Sequence, residues 1–185
     1  MFFNTKNCVI LALTGMLLCN ATGAPTVLAD QPSFRTRQYT DFGRPRFSSL
    51  PISQAIKTVR GNGSRHVAVF SDPDCPYCRK LESDTLSKLD NVTIYTFLFP
   101  LEQHADANRK AALIWCAPDP SRAWQSWMLE QRLPVAAPSC APPIAANISL
   151  GHALGVRATP TLILESGDVV MGMLSKEVLE EKLHH

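Results

Sequence analysis

Two thiols sit one helical turn apart in Cys75-Pro76-Tyr77-Cys78. The motif follows an apolar run of strand type, residues 67–70, and precedes a stretch of helical character, residues 79–89. Cys75 therefore falls where a strand ends and a helix begins, and the free N–H groups and dipole of a helix start favour negative charge there. That lowers the pKa of Cys75, and the thiolate is the reactive form of cysteine. Pro76 suits the first helical position, where the missing N–H would be unpaired anyway. Cys78 faces back toward Cys75, at a spacing that permits a small, reversible disulfide. In such a pair Cys75 attacks a substrate disulfide, or is attacked, and Cys78 resolves the mixed disulfide that results. Asp72 and Asp74 oppose the thiolate, and no histidine lies between the cysteines to offset them. The expectation is a Cys75 pKa that is lowered, but less than in the strongest disulfide oxidants, and a dithiol that oxidises more mildly. Cys75 is also expected to be the more accessible of the two sulfurs.

Other chemistries fit the motif less well. A C-x-x-C pair is half of a zinc or copper site, but a zinc ribbon needs a second close pair, and Cys116 and Cys140 lie far apart. His66, His104 and His152 show no ligand spacing and default to surface or internally satisfied positions; His184 and His185 end the chain. Strand packing explains Met171-Gly172-Met173 better than copper does. A purely stabilising Cys75–Cys78 bridge would close a tiny loop and restrict little chain entropy. No metal and no cofactor is expected. Cys116 and Cys140 carry the opposite reading: they enclose a long loop, and a bridge between them would stabilise by roughly 3 kcal/mol in the chain-entropy model. A structural disulfide is favoured there over a second redox pair. Thr159-Pro160 opens the strand-like Thr161-Leu-Ile-Leu164, although proline cannot donate to a ladder. A cis bond would turn the backbone sharply and leave the Thr159 backbone polar groups free to pair with an incoming peptide. A plain trans proline is the alternative, and the company of Cys-Pro-Tyr-Cys favours cis.

The chain that must position these residues has 185 of them, 45% hydrophobic and 18% charged, with a formal net charge of +2. That is one domain plus an appendage. The composition excludes a disordered chain and gives no electrostatic case for nucleic acid. Residues 1–29 hold one charged side chain, Lys6, then an apolar run over 8–19 that is short for a membrane span, then a small, polar end. The pattern is that of a cleavable secretory signal peptide; an uncleaved anchor or a lipid on Cys19 fits less well. Export would leave Cys75, Cys78, Cys116 and Cys140 in an oxidising compartment, so two disulfides are expected. Residues 30–49 are basic through Arg35, Arg37, Arg44 and Arg46, show no period, and read as a linker or tail.

Onward from residue 50, a short helix is expected over 50–59, a turn at Gly61-Asn62-Gly63-Ser64, and then the first strand, the motif and its helix. A second strand over 92–99 is rich in β-branched and aromatic residues, as a strand buried on both faces should be. A helix over 105–117 is stopped by Pro118-Asp119-Pro120, and Ser121 can cap another running through Trp124, Trp127 and Met128. The three tryptophans, Trp115 included, read as core of this insertion. A proline-rich loop (133–143) and a helix (144–154) follow. Two short strands, 161–164 and 169–171, flank the hairpin turn Glu165-Ser166-Gly167-Asp168, and a helix over 176–183 closes the chain. Strand–helix–strand demands a right-handed crossover and a parallel pair, while the late hairpin adds antiparallel strands. The expected fold is α/β: a thioredoxin-like mixed sheet flanked by helices, spanning 50–185, with a helical insertion at about 105–150.

Three stretches together resemble the DsbC/DsbG family of periplasmic thiol–disulfide isomerases: Val69-Phe-Ser-Asp-Pro-Asp-Cys75-Pro-Tyr-Cys78-Arg-Lys-Leu; Ile114-Trp-Cys116-Ala with Ala137-Pro-Ser-Cys140; and Leu154-Gly-Val-Arg-Ala-Thr159-Pro160. The resemblance covers about residues 50–183. It implies that Cys75 is the nucleophile, Cys78 the resolving thiol, Thr159–Pro160 the cis-proline substrate contact and Cys116–Cys140 the structural disulfide. It further implies protein disulfides as substrates and a membrane thiol reductant as electron donor. In two respects the chain departs from the family. The residues between the signal and Leu50 are too few for the family's N-terminal dimerisation domain, so a monomer is expected. Pro76 stands where family isomerases carry a small residue, at a dipeptide that tunes redox poise.

Overall fold

A computed structural model describes residues 40–41, 44–135 and 140–184, and for Thr40 and Asp41 the backbone alone. The expected signal peptide, most of the expected linker and residues 136–139 of the proline-rich loop lie outside the described residues. β1 (Thr40–Asp41) and β2 (Arg44–Pro45) pair antiparallel. The domain then runs β3 (Ile56–Arg60), β4 (Arg65–Ser71), α1 (Pro76–Asp84), β5 (Val92–Leu98), α2 (Ala107–Trp115), α3 (Pro120–Glu130), α4 (Ile144–Ala153), β6 (Thr161–Leu164), β7 (Val169–Met171) and α5 (Lys176–Leu183). Five strands form one sheet in the order β3-β5-β4-β6-β7. β4 and β5 run parallel across the α1 crossover, and every other neighbouring pair in the sheet is antiparallel. This is the mixed α/β arrangement that the element order implies.

Alternation along β4 divides the core between the two faces of the sheet. Ala68 and Phe70 join Tyr95, Phe97 and Leu150 on one face. Val67 and Val69 join Leu81 of α1 and Leu179 of α5 on the other. Every residue of β5 is buried, as a strand with neighbours at both edges and layers on both faces requires. A third cluster gathers Ile114 of α2 with Trp124 and Met128 of α3 around Cys75 and Cys78. The helical insertion is therefore one wall of the site.

Gly151 shows how tightly α4 is seated. A Cβ there would lie 2.4 Å from Cε2 of Phe99 and 3.3 Å from Cδ1 of Phe70. Those rings pack against each other edge to face at 5.9 Å and have little room to give. Gly151→Ala gains helix propensity of about 1 kcal/mol but overpacks a rigid aromatic contact, at a cost of about 1–3 kcal/mol. A net loss of about 1 kcal/mol is expected, read as a lower urea midpoint at unchanged slope; a midpoint above wild type would refute the packing account.

Three expectations need correction. Residues 50–59 do not form a helix: Ile52–Gln54 make one 3-10 turn, and Ile56–Arg60 are the strand β3, paired with β5. Ile52, Ala55 and Ile56 fit helical spacing, but Ile56-Lys-Thr-Val-Arg60 alternates buried and exposed with period two, and the sheet edge decides between the periods. Ser121 does not cap α3. Asp119 does, accepting from the Arg122 N–H at 2.9 Å, with Pro120 as the first helical residue. Ser121 instead shares a 2.7 Å hydrogen bond with Thr58 of β3. The end of the expected linker is not loose: Pro45 is buried, Arg44 reaches Asp168 at 3.5 Å, and the Phe47 ring stands 6.2 Å from Tyr95.

Candidate active site

β4 delivers the chain to Ser71 at the end of the sheet, and a tight turn follows, closed by the Cys75 N–H donating to the Asp72 carbonyl at 3.2 Å. Cys75 is the N-cap of α1 with extended backbone, and Pro76 is its first residue. Both cysteines are free thiols. The Cys75 thiol donates to the Thr159 carbonyl at 3.4 Å, and the Asp72 N–H donates to the Cys78 sulfur at 3.5 Å. The Thr159–Pro160 bond is cis. Thus the Thr159 carbonyl, expected to be free for an incoming peptide, accepts from Cys75 when that residue is a thiol. Both residues are buried, Cys75 4% exposed and Cys78 2%, and burial weighs more heavily on the Cys78 thiol.

Proton affinity distinguishes them. The pKa of Cys75 is lowered from 9.0 to about 5. The hydrogen bond from the Cys78 thiol is the largest cause; burial opposes it; the Thr159 hydroxyl and the N–H groups of Cys78 and Tyr77 add smaller pulls. That hydroxyl is buried and has no hydrogen-bond partner within bonding geometry among the described residues. Cys78 is pushed up, first by burial and then because its proton is held between the two sulfurs. One thiol is thus poised as an anion and the other as its proton donor.

The acidic residues beside the motif are spoken for. Asp72 is fully buried. Its Oδ1 accepts the Asp74 N–H at 2.6 Å, and its Oδ2 accepts the Leu101 N–H at 2.6 Å and contacts His104 Nδ1 at 2.9 Å. Asp74 takes Lys110 Nζ of α2 at 2.5 Å. Sequence reasoning counted Asp72 and Asp74 as bare opposing charges because both partners lie some thirty positions away, beyond β5. The insertion tryptophans do more than fill space. Trp127 donates to the Pro73 carbonyl at 2.7 Å, with Lys110 4.8 Å from its ring centroid. Trp124 donates to Glu82 of α1 at 3.2 Å. Glu82 was overlooked: it is buried, and burial raises its pKa above the ordinary carboxylate value.

Cys116, at the end of α2, is disulfide-bonded to Cys140, with their Cα atoms 5.9 Å apart. Among the described residues no group of three or more His, Cys, Asp or Glu is arranged to hold a metal ion, and no described helix is long and apolar enough to cross a membrane.

A family model of the thioredoxin-like domain matches residues 52–185. The probable thiol:disulfide interchange protein DsbC of Bordetella parapertussis is 43% identical over 137 residues, 74% of this chain and 48% of that protein. The thiol:disulfide interchange protein DsbC of Escherichia coli is 33% identical over 119 residues, 63% of this chain and 50% of that one. The chain thus spans about half the length of the curated relatives it matches. The crystal structure of a disulfide interchange protein from Neisseria gonorrhoeae superposes with a TM-score of 0.70 at 43% identity, covering 73% of this chain and 96% of that one. The chain belongs to the thioredoxin-like domain family and, within it, to the DsbC-like disulfide interchange proteins.

Proposed function

We propose that this protein is an exported thiol–disulfide oxidoreductase of the isomerase type, working on protein disulfides in the periplasm. The carrying observation is the pair of opposed proton affinities at the start of α1, with Cys75 anionic and Cys78 protonated near neutral pH. The Cys75 thiolate attacks one sulfur of a substrate disulfide. That S–S bond breaks, and the departing sulfur leaves as a thiolate that takes up a proton. Two exits follow from the mixed disulfide. In the first, a second substrate thiol displaces Cys75 and the substrate is isomerised without net electron transfer. In the second, Cys78 loses its proton and attacks Cys75, the substrate leaves as a dithiol, and Cys75–Cys78 is left oxidised until a membrane thiol reductant returns two electrons. Thr159–Pro160 would contact the substrate, the Thr159 carbonyl being released by Cys75 once that residue is a thiolate, and Cys116–Cys140 would act as a structural clamp. Residues 1–29 would be the export signal and 50–185 the catalytic domain.

Insulin reduction tests the reading directly: Cys75→Ser is expected to fall to the uncatalysed rate, and undiminished turnover in that variant would refute it. Cys78→Ala removes the internal exit and should accumulate mixed disulfides in cells, whose attached proteins identify the clients. The resting state of Cys75–Cys78 in cells gives the direction of electron flow: reduced for isomerase or reductase work, oxidised for an oxidase.

A further inference from the structure

The acidic turn before Cys75 poses an electrostatic problem. Asp72 is wholly buried, so its charge is poorly screened, and a thiolate at Cys75 places a second negative charge on the same tight turn. Asp74 is answered by Lys110, which also lies 3.5 Å from Asp106, itself bound by Arg109. The partners of the Asp72 carboxylate are two backbone N–H groups and the His104 ring, and of these only the ring can carry a charge. The ring is fixed where it stands. Its loop is closed by the His104 N–H on Leu101 at 3.0 Å and by the Ala107 N–H on His104 at 3.1 Å. The shared Oδ2 of Asp72 ties that loop to the motif.

We propose that His104, seated on Asp72, is a positioning residue whose positive charge holds the Cys75 thiolate, so that the oxidation state of the dithiol and the protonation of His104 are coupled. The proposal rests on the dithiol chemistry above. A neutral ring would leave Asp72 and the thiolate as two adjacent negative charges; an imidazolium cancels one of them. The charged groups that act on the ring are Asp72, Asp74 and Cys75 of the motif; Lys110 and Arg109 of α2 are engaged by Asp74 and by Asp106 at the start of that helix, and Arg79 of α1 lies over Trp127. His104 is held above its ordinary pKa, chiefly by its bond to Asp72 and further by the charges of Cys75 and Asp74.

Coupling fixes where the protons go. Reduction of the Cys75–Cys78 disulfide by a substrate dithiol breaks the S–S bond and takes two electrons. Cys78 takes one proton, while above pH of about 5 Cys75 stays an anion. The imidazole takes up a further proton only in the interval between its pKa in the oxidised protein and its higher pKa in the reduced protein; below that interval it is already charged in both states. On oxidation within that interval the imidazolium gives the proton back.

Coupling between sites is reciprocal, so it can be read from either end. The His104 ring proton resonance, assigned through its own backbone in isotopically labelled wild-type protein, is expected to titrate higher in reduced protein than in oxidised protein. The expected separation is on the order of half to one pH unit, an interaction of about 0.7–1.4 kcal/mol between the two charges. In His104→Gln the amide still donates to Asp72 but carries no charge, and the Cys75 thiolate absorbance should then titrate higher by the same amount. Identical His104 titrations in the two redox states would overturn the coupling, as would a Cys75 curve unmoved in His104→Gln. The wild-type comparison needs no variant, so it decides even if His104→Gln folds poorly. If Cys75 titrates low while His104 ignores the redox state, only this inference fails; if wild-type Cys75 titrates as an ordinary thiol, the catalytic reading fails with it.

Discussion

Alkylation of the reduced protein at graded pH is expected to yield one reactive thiol with a half-titration near pH 5 and one that hardly reacts below pH 9. The first is Cys75, lowered to about 5, and the second is Cys78, raised by burial. The rate ratio at pH 7 is smaller than the thiolate populations suggest, because a weaker base is a weaker nucleophile, with a Brønsted slope of about 0.4–0.5. Part of the advantage in population is cancelled in proportion to the difference in pKa, and Cys75 stays ahead because the slope is below one. The same shift is a statement about stability. A cysteine whose folded pKa is depressed stabilises the fold fully above the unfolded value of 9.0, and loses that contribution as pH falls toward 5. At pH 7 this amounts to about 3 kcal/mol for reduced protein, and it vanishes below about pH 5. The oxidised protein has no such thiolate, so the pH slopes of the two unfolding curves should differ between pH 5 and 9. Equal slopes together with equal alkylation rates would remove the basis for treating Cys75 as the nucleophile.

The motif and the element order were readable because each rests on local chemistry. Cys75-Pro76 at the end of an apolar strand specifies a helix start within a few residues, and the all-buried β5 announces itself by β-branched and aromatic composition. What escaped was set by contacts distant in sequence. Residues 50–59 satisfy both periods, and only pairing with β5 makes them a strand. That error also concealed Arg60, whose charge acts on Glu82 from the end of β3. Asp72 and Asp74 look like uncompensated charge until the chain beyond β5 brings His104 and Lys110 back over the motif. No periodicity encodes such a return. A buried carboxylate must be paired, however, so an acidic residue adjoining an apolar strand was a signal that a distant donor exists, even though its identity was hidden.

Trp124→Ala is expected to be the most damaging substitution in the insertion, costing about 4 kcal/mol. Trp124 is 1% exposed and belongs to the cluster that encloses both active-site sulfurs, so its removal leaves a cavity that α2 and α3 cannot easily fill. A second cost falls on Glu82, which burial already holds above its usual pKa and which the Trp124 N–H favours as an anion. Losing that donor raises the carboxyl further. An acid with a raised folded pKa destabilises increasingly as pH climbs from its unfolded value toward its folded one, so the penalty of Trp124→Ala relative to wild type should grow once pH passes the folded-state pKa of Glu82 in wild type, which burial holds above 4.5. Cys140→Ser offers a contrast of similar size and different origin. Opening the Cys116–Cys140 link releases chain entropy in the unfolded state, worth roughly 3 kcal/mol in the loop-closure model, with no pH dependence tied to Glu82. The two sources separate under reductant: Cys140→Ser should then match wild type, whereas Trp124→Ala should stay below it. Trp124→Phe retains most of the buried ring but not the N–H, and a loss of about 1–2 kcal/mol is expected from the hydrogen bond. If Phe proves as damaging as Ala, the Glu82 bond, and not the filled volume, is what joins the insertion to the active-site helix.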